Sequence, residues 1–307
     1  MTRHVGPRAA VFTGAAGNRL VADVFGESGS PVLLLHGGGQ TRHSWRETGR
    51  RLAAAGSVAY ALDQRGHGDS DWIADGNYAF IDFADDAVAV ADALAGQAER
   101  APVAVGASLG GIAALLAEGA GAQIGRPVFS ALVLVDIAPR VDAAGVAKIQ
   151  GFMRANAKDG FGSIAEAADA VAAYLPHRPR PPSYQGLKKN LRLGPDGRWR
   201  WHWDPRFLDG PRPIGTGRGE IEAALVAAAQ RVTVPVMLVR GGSSEVVTEN
   251  HVREFLDLVP HAEYMDVAGA RHMVAGDRND RFSAAILGFL GKLGLSPQAD
   301  CGPGSWG

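Results

Sequence analysis

Short apolar strings recur along the chain at the length of buried strands. Pro31 to Leu35, Ser57 to Leu62, Pro102 to Val105, Ala131 to Val135 and Val234 to Val239 are apolar at nearly every position, and the more polar Ala262 to Val267 follows the same rhythm. A strand apolar on consecutive positions is buried on both faces, the condition of a parallel sheet covered by helices. Longer segments of helical pattern stand between the strings: Thr41 to Ala55, Asp82 to Ala98, Leu109 to Glu118, Glu249 to Val259 and about Arg278 to Leu293. Two earlier strands, Ala9 to Phe12 and Leu20 to Phe25, are separated by the turn-forming Gly14 to Asn18. The alternation predicts an α/β fold built on a mostly parallel sheet.

The rhythm stops between Pro139 and about Arg231. Ser163 to Tyr174 reads as a helix opened by a capping box at Ser163 and Glu166. His177 to Arg218 is rich in proline and arginine, and no apolar string there could seed a large core. The expected organisation is therefore a core of residues 1–138 and 232–295, a cap inserted at 139–231, and a poorly ordered tail at 296–307.

Charge narrows the partners. Among 307 residues, Lys and Arg total 31 and Asp and Glu 32, so the net charge of −1 gives no drive toward nucleic acid or an anionic membrane. The single cysteine, Cys301, rules out an intramolecular disulfide or a cysteine-based metal site, in keeping with a cytoplasmic location. No signal peptide is visible, and no apolar string approaches the roughly 18 residues of a membrane span.

Gly106-Ala107-Ser108-Leu109-Gly110 matches G-x-S-x-G between a strand and a helix, the context of a nucleophile elbow. The alternative is a serine that merely caps the helix. A serine hydroxyl needs a base, and His272, after the final strand, is the candidate. The carboxylate that orients it is Glu245 by chain position, with Asp136 as the rival; Asp136 could instead bond the loop amides around Ala138. A developing oxyanion needs preorganised donors, expected from the backbone N–H groups of Leu109 and of Gly38, with Gly39 next, in the run His36-Gly37-Gly38-Gly39-Gln40. No Walker lysine, dinucleotide fingerprint or H-E-x-x-H spacing is present, so neither cofactor nor metal is expected.

Taken together, His36 to Gln40, Asp63-Gln-Arg-Gly-His-Gly-Asp-Ser70, Gly106 to Gly111, Arg240 to Glu245 and Arg271-His272-Met273 resemble the α/β-hydrolase superfamily. The resemblance covers nearly the whole chain outside the insertion. It implies an eight-stranded sheet flanked by helices, a largely helical cap inserted after the sixth strand, and a nucleophile and base at Ser108 and His272. Serine at 108 departs from the aspartate of the superfamily's epoxide hydrolases and haloalkane dehalogenases. Gln40 to His43 lacks the proline and further glycine usual in its carbon–carbon bond hydrolases.

The expected activity is a serine hydrolase acting on a small or medium carboxylic ester through an acyl-enzyme. Lactone hydrolysis, cofactor-free perhydrolase or haloperoxidase-like chemistry, and ligand sensing without turnover are the other readings of the same residues. Candidate substrate contacts are Gly39, His43, Trp201 and Trp203, with Phe152, Phe161, Tyr174 and Phe207 as further lining and Arg42 and Trp45 from the core side. Arg178 to Arg218 holds ten Lys and Arg against three Asp, a local charge of +7. That is either a lure for anionic esters or a solvated basic face.

Overall fold

The computed structural model describes residues 6–98, 100–178, 183–274 and 279–295. The expected tail at 296–307, with Cys301, lies outside the described residues. The N-terminal half gives β1 (Arg8–Thr13), β2 (Arg19–Phe25), β3 (Ser30–Leu35), α1 (Arg46–Ala54), β4 (Ser57–Asp63), α2 (Phe80–Ala98), β5 (Val103–Ala107), α3 (Leu109–Gln123) and β6 (Ala131–Val135). The inserted region gives α4 (Ala143–Ala155), α5 (Ile164–Tyr174), α6 (Gln185–Lys188), β7 (Leu191–Leu193), β8 (Trp199–Trp201), α7 (Arg206–Asp209) and α8 (Arg218–Arg231). The chain then returns to the core with β9 (Val236–Gly241), α9 (Glu249–Leu258), β10 (Glu263–Val267) and α10 (Asn279–Lys292).

Eight strands form one sheet in the order β1-β2-β4-β3-β5-β6-β9-β10. β1 and β2 pair antiparallel, β2 pairs antiparallel with β4, and every other pairing is parallel. Alternate residues of the central strands feed opposite faces. Leu33 and Leu35 join the cluster beneath α2, α3, α8 and α9, whereas Val32 and Leu34 join the one beneath α1 and α10. All four are fully buried, at about 1.5–3 kcal/mol per aliphatic side chain. Both faces are thus covered, which is why the strings carry no polar alternation.

β3 has β4 on one side and β5 on the other, so the chain changes direction there. The carboxyl ends of strands at such a switch point leave a crevice between their loops. The glycine run after β3 and Ser108 after β5 both lie at that crevice.

The inserted region is less uniform than its sequence implied. α8 packs on α3, where a Cβ at Gly119 would meet Ala228 at 2.4 Å, and its Leu225, Ala228 and Ala229 belong to the sheet-face cluster. The segment from α4 to α7 has a cluster of its own with Met153, Phe161, Trp201, Trp203 and Phe207, shared with Tyr78, Phe83 and Leu109 of the core. β7 and β8 form a two-stranded antiparallel ribbon that carries Trp199 and Trp201. Ser163 caps α5 as expected, but the Glu166 carboxylate takes the amide of Gly162 at 2.6 Å.

The basic stretch is largely engaged in structural bonds. Arg192 donates to the Gly68 carbonyl, Arg198 to the Asp159 and Gly160 carbonyls, Arg200 to Asp196, Arg206 to Asp204 and Arg212 to Asp82. Three of these tie the insertion to the core directly: Arg192, Arg212, and Arg206, whose Nη1 also donates to the Ala74 carbonyl at 3.0 Å.

Candidate active site

Ser108 sits at φ +47°, in the region that L-residues rarely adopt, between the end of β5 and the first turn of α3. The glycines around it are demanded by contact. A Cβ at Gly106 would lie 2.4 Å from the Gly110 carbonyl oxygen, and one at Gly110 would lie 2.3 Å from the Leu35 carbonyl oxygen. Strand and helix can approach closely enough to raise Ser108 only where side chains are missing.

The carboxylate partner of His272 is not the one that chain position favours. His272 Nδ1 lies 2.7 Å from Asp136 Oδ2, and the expected pairing with Glu245 is not formed. Asp136 follows β6 at φ +49°, fully buried, and its Oδ1 accepts the Gly241 amide at 2.9 Å. Its Oδ2 also accepts from the Ser244 hydroxyl at 2.5 Å. Because β9 lies beside β6, the two strand ends present adjacent loops, and the shorter, deeper aspartate reaches the histidine first. Glu245 instead reaches toward Lys148, with Oε1 3.9 Å from its ammonium, and forms part of the pocket wall.

The glycine loop after β3 has its amides divided between tasks. Gly37 N–H donates to Gln40 Oε1 at 3.3 Å and Gly39 N–H to His67 Nε2 at 3.1 Å. Gly38 N–H has no acceptor among the described residues, and Leu109 is the first residue of α3, where helical amides lack an intrahelical partner. Two buried histidines hold the loop. His36 Nε2 accepts the Gln64 amide while Nδ1–H donates to the Gly37 carbonyl; His67 Nδ1–H donates to the Arg65 carbonyl. Burial pushes their pKa values down, to about 4 for His36 and about 3 for His67, so both are neutral acceptors in these bonds. A further staple lies behind them, where Arg42 binds Asp23, Asp63 and Asp69 together. Nothing in the sequence pattern singled out His67 for this task; its place in the same Asp63 to Ser70 run was the available signal.

The cap closes the crevice into a cavity of about 540 Å³. Ser108, Leu109, Gly38, Gly39 and His272 line it from the core, and Phe152, Tyr174, Trp201, Trp203 and Phe207 from the insertion. Phe207 covers Gly38 and Met153 covers Gly39, so the insertion rests directly on the glycine loop. Trp201 Nε1–H is buried there with no acceptor among the described residues. Other expected contacts lie elsewhere. His43 lines a neighbouring cleft, with Nδ1 3.7 Å from Asp23. Arg42 is committed to its carboxylates, and Phe161 packs inside the cap cluster. Trp199 is half-buried outside the cavity lining, whereas Trp45 is buried and does line it. Among the described residues no group of three or more His, Cys, Asp or Glu side chains is arranged to hold a metal.

A family model described as "Alpha/beta hydrolase family" matches residues 32–285. The chain belongs to the alpha/beta hydrolase family. The esterase Rv0045c of Mycobacterium tuberculosis is 31% identical over 271 residues, covering 87% of this chain and 84% of that protein. Its solved structure superposes with a TM-score of 0.70 at 28% identity, over 94% of each chain. The 2-(acetamidomethylene)succinate hydrolase of Mesorhizobium japonicum is 28% identical over 238 residues, covering 75% of this chain and 77% of that protein. A crystal structure of E-2-(acetamidomethylene)succinate hydrolase superposes with a TM-score of 0.77 at 23% identity, covering 93% of this chain and 99% of that one, a likeness of fold. These relatives support a hydrolase. No helix among the described residues is long and apolar enough to cross a membrane.

Proposed function

We propose that this alpha/beta hydrolase is a serine esterase with Ser108 as nucleophile, His272 as general base and Asp136 as the acid that orients it. The observation that carries the reading is the 2.7 Å contact between His272 Nδ1 and Asp136 Oδ2, beside a cavity that Ser108 and His272 both line. With Nδ1–H donated to Asp136, Nε2 carries the free lone pair and can take the Ser108 proton. Ser108 Oγ attacks the ester carbonyl, and the N–H groups of Gly38 and Leu109 receive the oxyanion. His272 returns its proton to the departing alcohol, and an acyl-serine remains. Water, deprotonated by His272, then releases the acid and restores Ser108. The sum is ester plus water to acid plus alcohol, with no cofactor required. The apolar cavity supports a small or medium acyl or alkyl group, and the cap would exclude bulk water from it.

The test is hydrolysis of p-nitrophenyl esters of graded acyl length by wild type and by Ser108→Ala. The expected result is turnover by the wild type with a chain-length optimum, and its collapse in a variant that remains folded. Full activity in Ser108→Ala would refute the mechanism.

A further inference from the structure

The +7 charge of Arg178 to Arg218 raised the prospect of an anionic substrate, yet the arginines of this stretch are mostly bonded to protein acceptors. Three basic groups beside the catalytic cavity, one of them from the same stretch, are less committed. A cleft of about 220 Å³ adjoins the catalytic cavity and shares Gln40, Ser44 and Met273 with it. His43, Arg46 and Lys189 line this cleft, and no acidic residue does. Among the described residues neither Arg46 nor Lys189 is paired with a carboxylate, and Arg46 Nε and His43 Nδ1 are both buried without a hydrogen-bond partner. Asp23, the carboxylate nearest His43, is itself held by Arg42 at 2.9 Å. Asn190 also lines the cleft; its amide oxygen accepts the Thr41 hydroxyl at 2.9 Å, which leaves its NH₂ as a further donor.

A concave site with several donors, three of them basic, and no acid leaves an energetic deficit that an anionic oxygen group would fill. Its place matters equally. Gln40 ends the glycine loop and Met273 follows the proposed base, so a group seated in the cleft belongs to a molecule whose ester carbonyl can sit at Ser108. We propose that this cleft is an anion subsite that binds a carboxylate carried by the ester substrate, a few carbons from the scissile carbonyl. The inference rests on the serine esterase reading and deepens it, from esters in general to esters with a second, ionised carboxyl group. It makes the enzyme a carboxylate-selecting hydrolase, with its selection made where the insertion meets the core.

The test compares two p-nitrophenyl esters of equal length, one whose acyl chain ends in a free carboxylate (glutaryl) and one ending in its methyl ester. Wild type should prefer the glutaryl ester by kcat/KM. Arg46→Gln combined with Lys189→Gln should lower kcat/KM for that ester about tenfold, chiefly by raising KM, and change the neutral ester less than twofold. Free glutarate should compete with the anionic ester. Equal losses on both esters, no loss on either, or no wild-type preference would overturn the subsite. Activation of neutral-ester hydrolysis by free glutarate would also overturn it, since the cleft would then bind a free effector. Calorimetric binding of the glutaryl ester to Ser108→Ala, with and without the two substitutions, reads the subsite without turnover. Failure of the esterase reading therefore shows as absent hydrolysis with binding intact, and failure of the subsite as binding indifferent to Arg46 and Lys189.

Discussion

Asp136 and Glu245 follow neighbouring strands of one sheet, and their surroundings differ in kind. Asp136 is fully buried and receives three bonds, from the Gly241 amide, the Ser244 hydroxyl and His272. Glu245 keeps a side chain 30% exposed, near one exposed lysine, Lys148. A carboxylate that must fix the tautomer of a histidine needs immobility more than reach, and the short side chain on a strained residue has it. The longer one, in the same half of the sheet, is free to serve the pocket wall. Chain position alone favours Glu245; the network of donors pairs His272 with Asp136 instead.

The largest expected effect concerns the unit as a whole. On the proposed mechanism Ser108→Ala should lower kcat about a million-fold, and adding Asp136→Asn should lower it little further, because members of one catalytic unit are not additive. Losses from Asp136→Asn that multiply with those of Ser108→Ala, measured in single-turnover assays, would break the unit. A smaller effect sharpens the donor network. Ser244→Ala removes one bond to a buried carboxylate, worth about 1.5–3 kcal/mol, while the Gly241 amide and His272 remain. On the order of tenfold loss in kcat is expected, with KM nearly constant; an unchanged kcat would show that Ser244 is not needed to hold Asp136.

The pH dependence of stability probes the glycine loop opposite. His36 and His67 have pKa values lowered by burial to about 4 and about 3, so between these values and about 6.5 the unfolded chain binds more protons than the folded one. Stability then rises with pH in that window and is lost as pH falls from about 6.5, at up to about 1.4 kcal/mol per pH unit for each histidine. Thermal unfolding at pH 7 and pH 5 should show the drop, and His67→Gln should shrink it. A midpoint equally acid-sensitive in the variant would mean that His67 is not buried as a neutral acceptor.

Much of this was legible in the sequence, for identifiable reasons. The apolar strings marked the central strands because burial on both faces leaves no room for polar residues. Gly106, Gly110 and Ser108 were legible because the elbow admits few residue types. The carboxylate that contacts His272 was not, since β6 and β9 are neighbours in space and each ends in a carboxylate-bearing loop. α8 was missed because its alanines carry little amphipathic pattern, and its packing on α3 depends on Gly119, far away in sequence. The fate of the cap arginines was also hidden: Arg198 and Arg192 bond backbone carbonyls, which leave no mark in composition.

The most direct measurement sets the two carboxylates side by side: kcat for Asp136→Asn and for Glu245→Gln on one p-nitrophenyl ester, with folding checked by circular dichroism. The expected result is a loss of about ten-thousand-fold for Asp136→Asn, as for a wrongly held imidazole, and a change within threefold for Glu245→Gln. A collapse of kcat in Glu245→Gln, with Asp136→Asn near wild type, would contradict it and return the histidine to the glutamate.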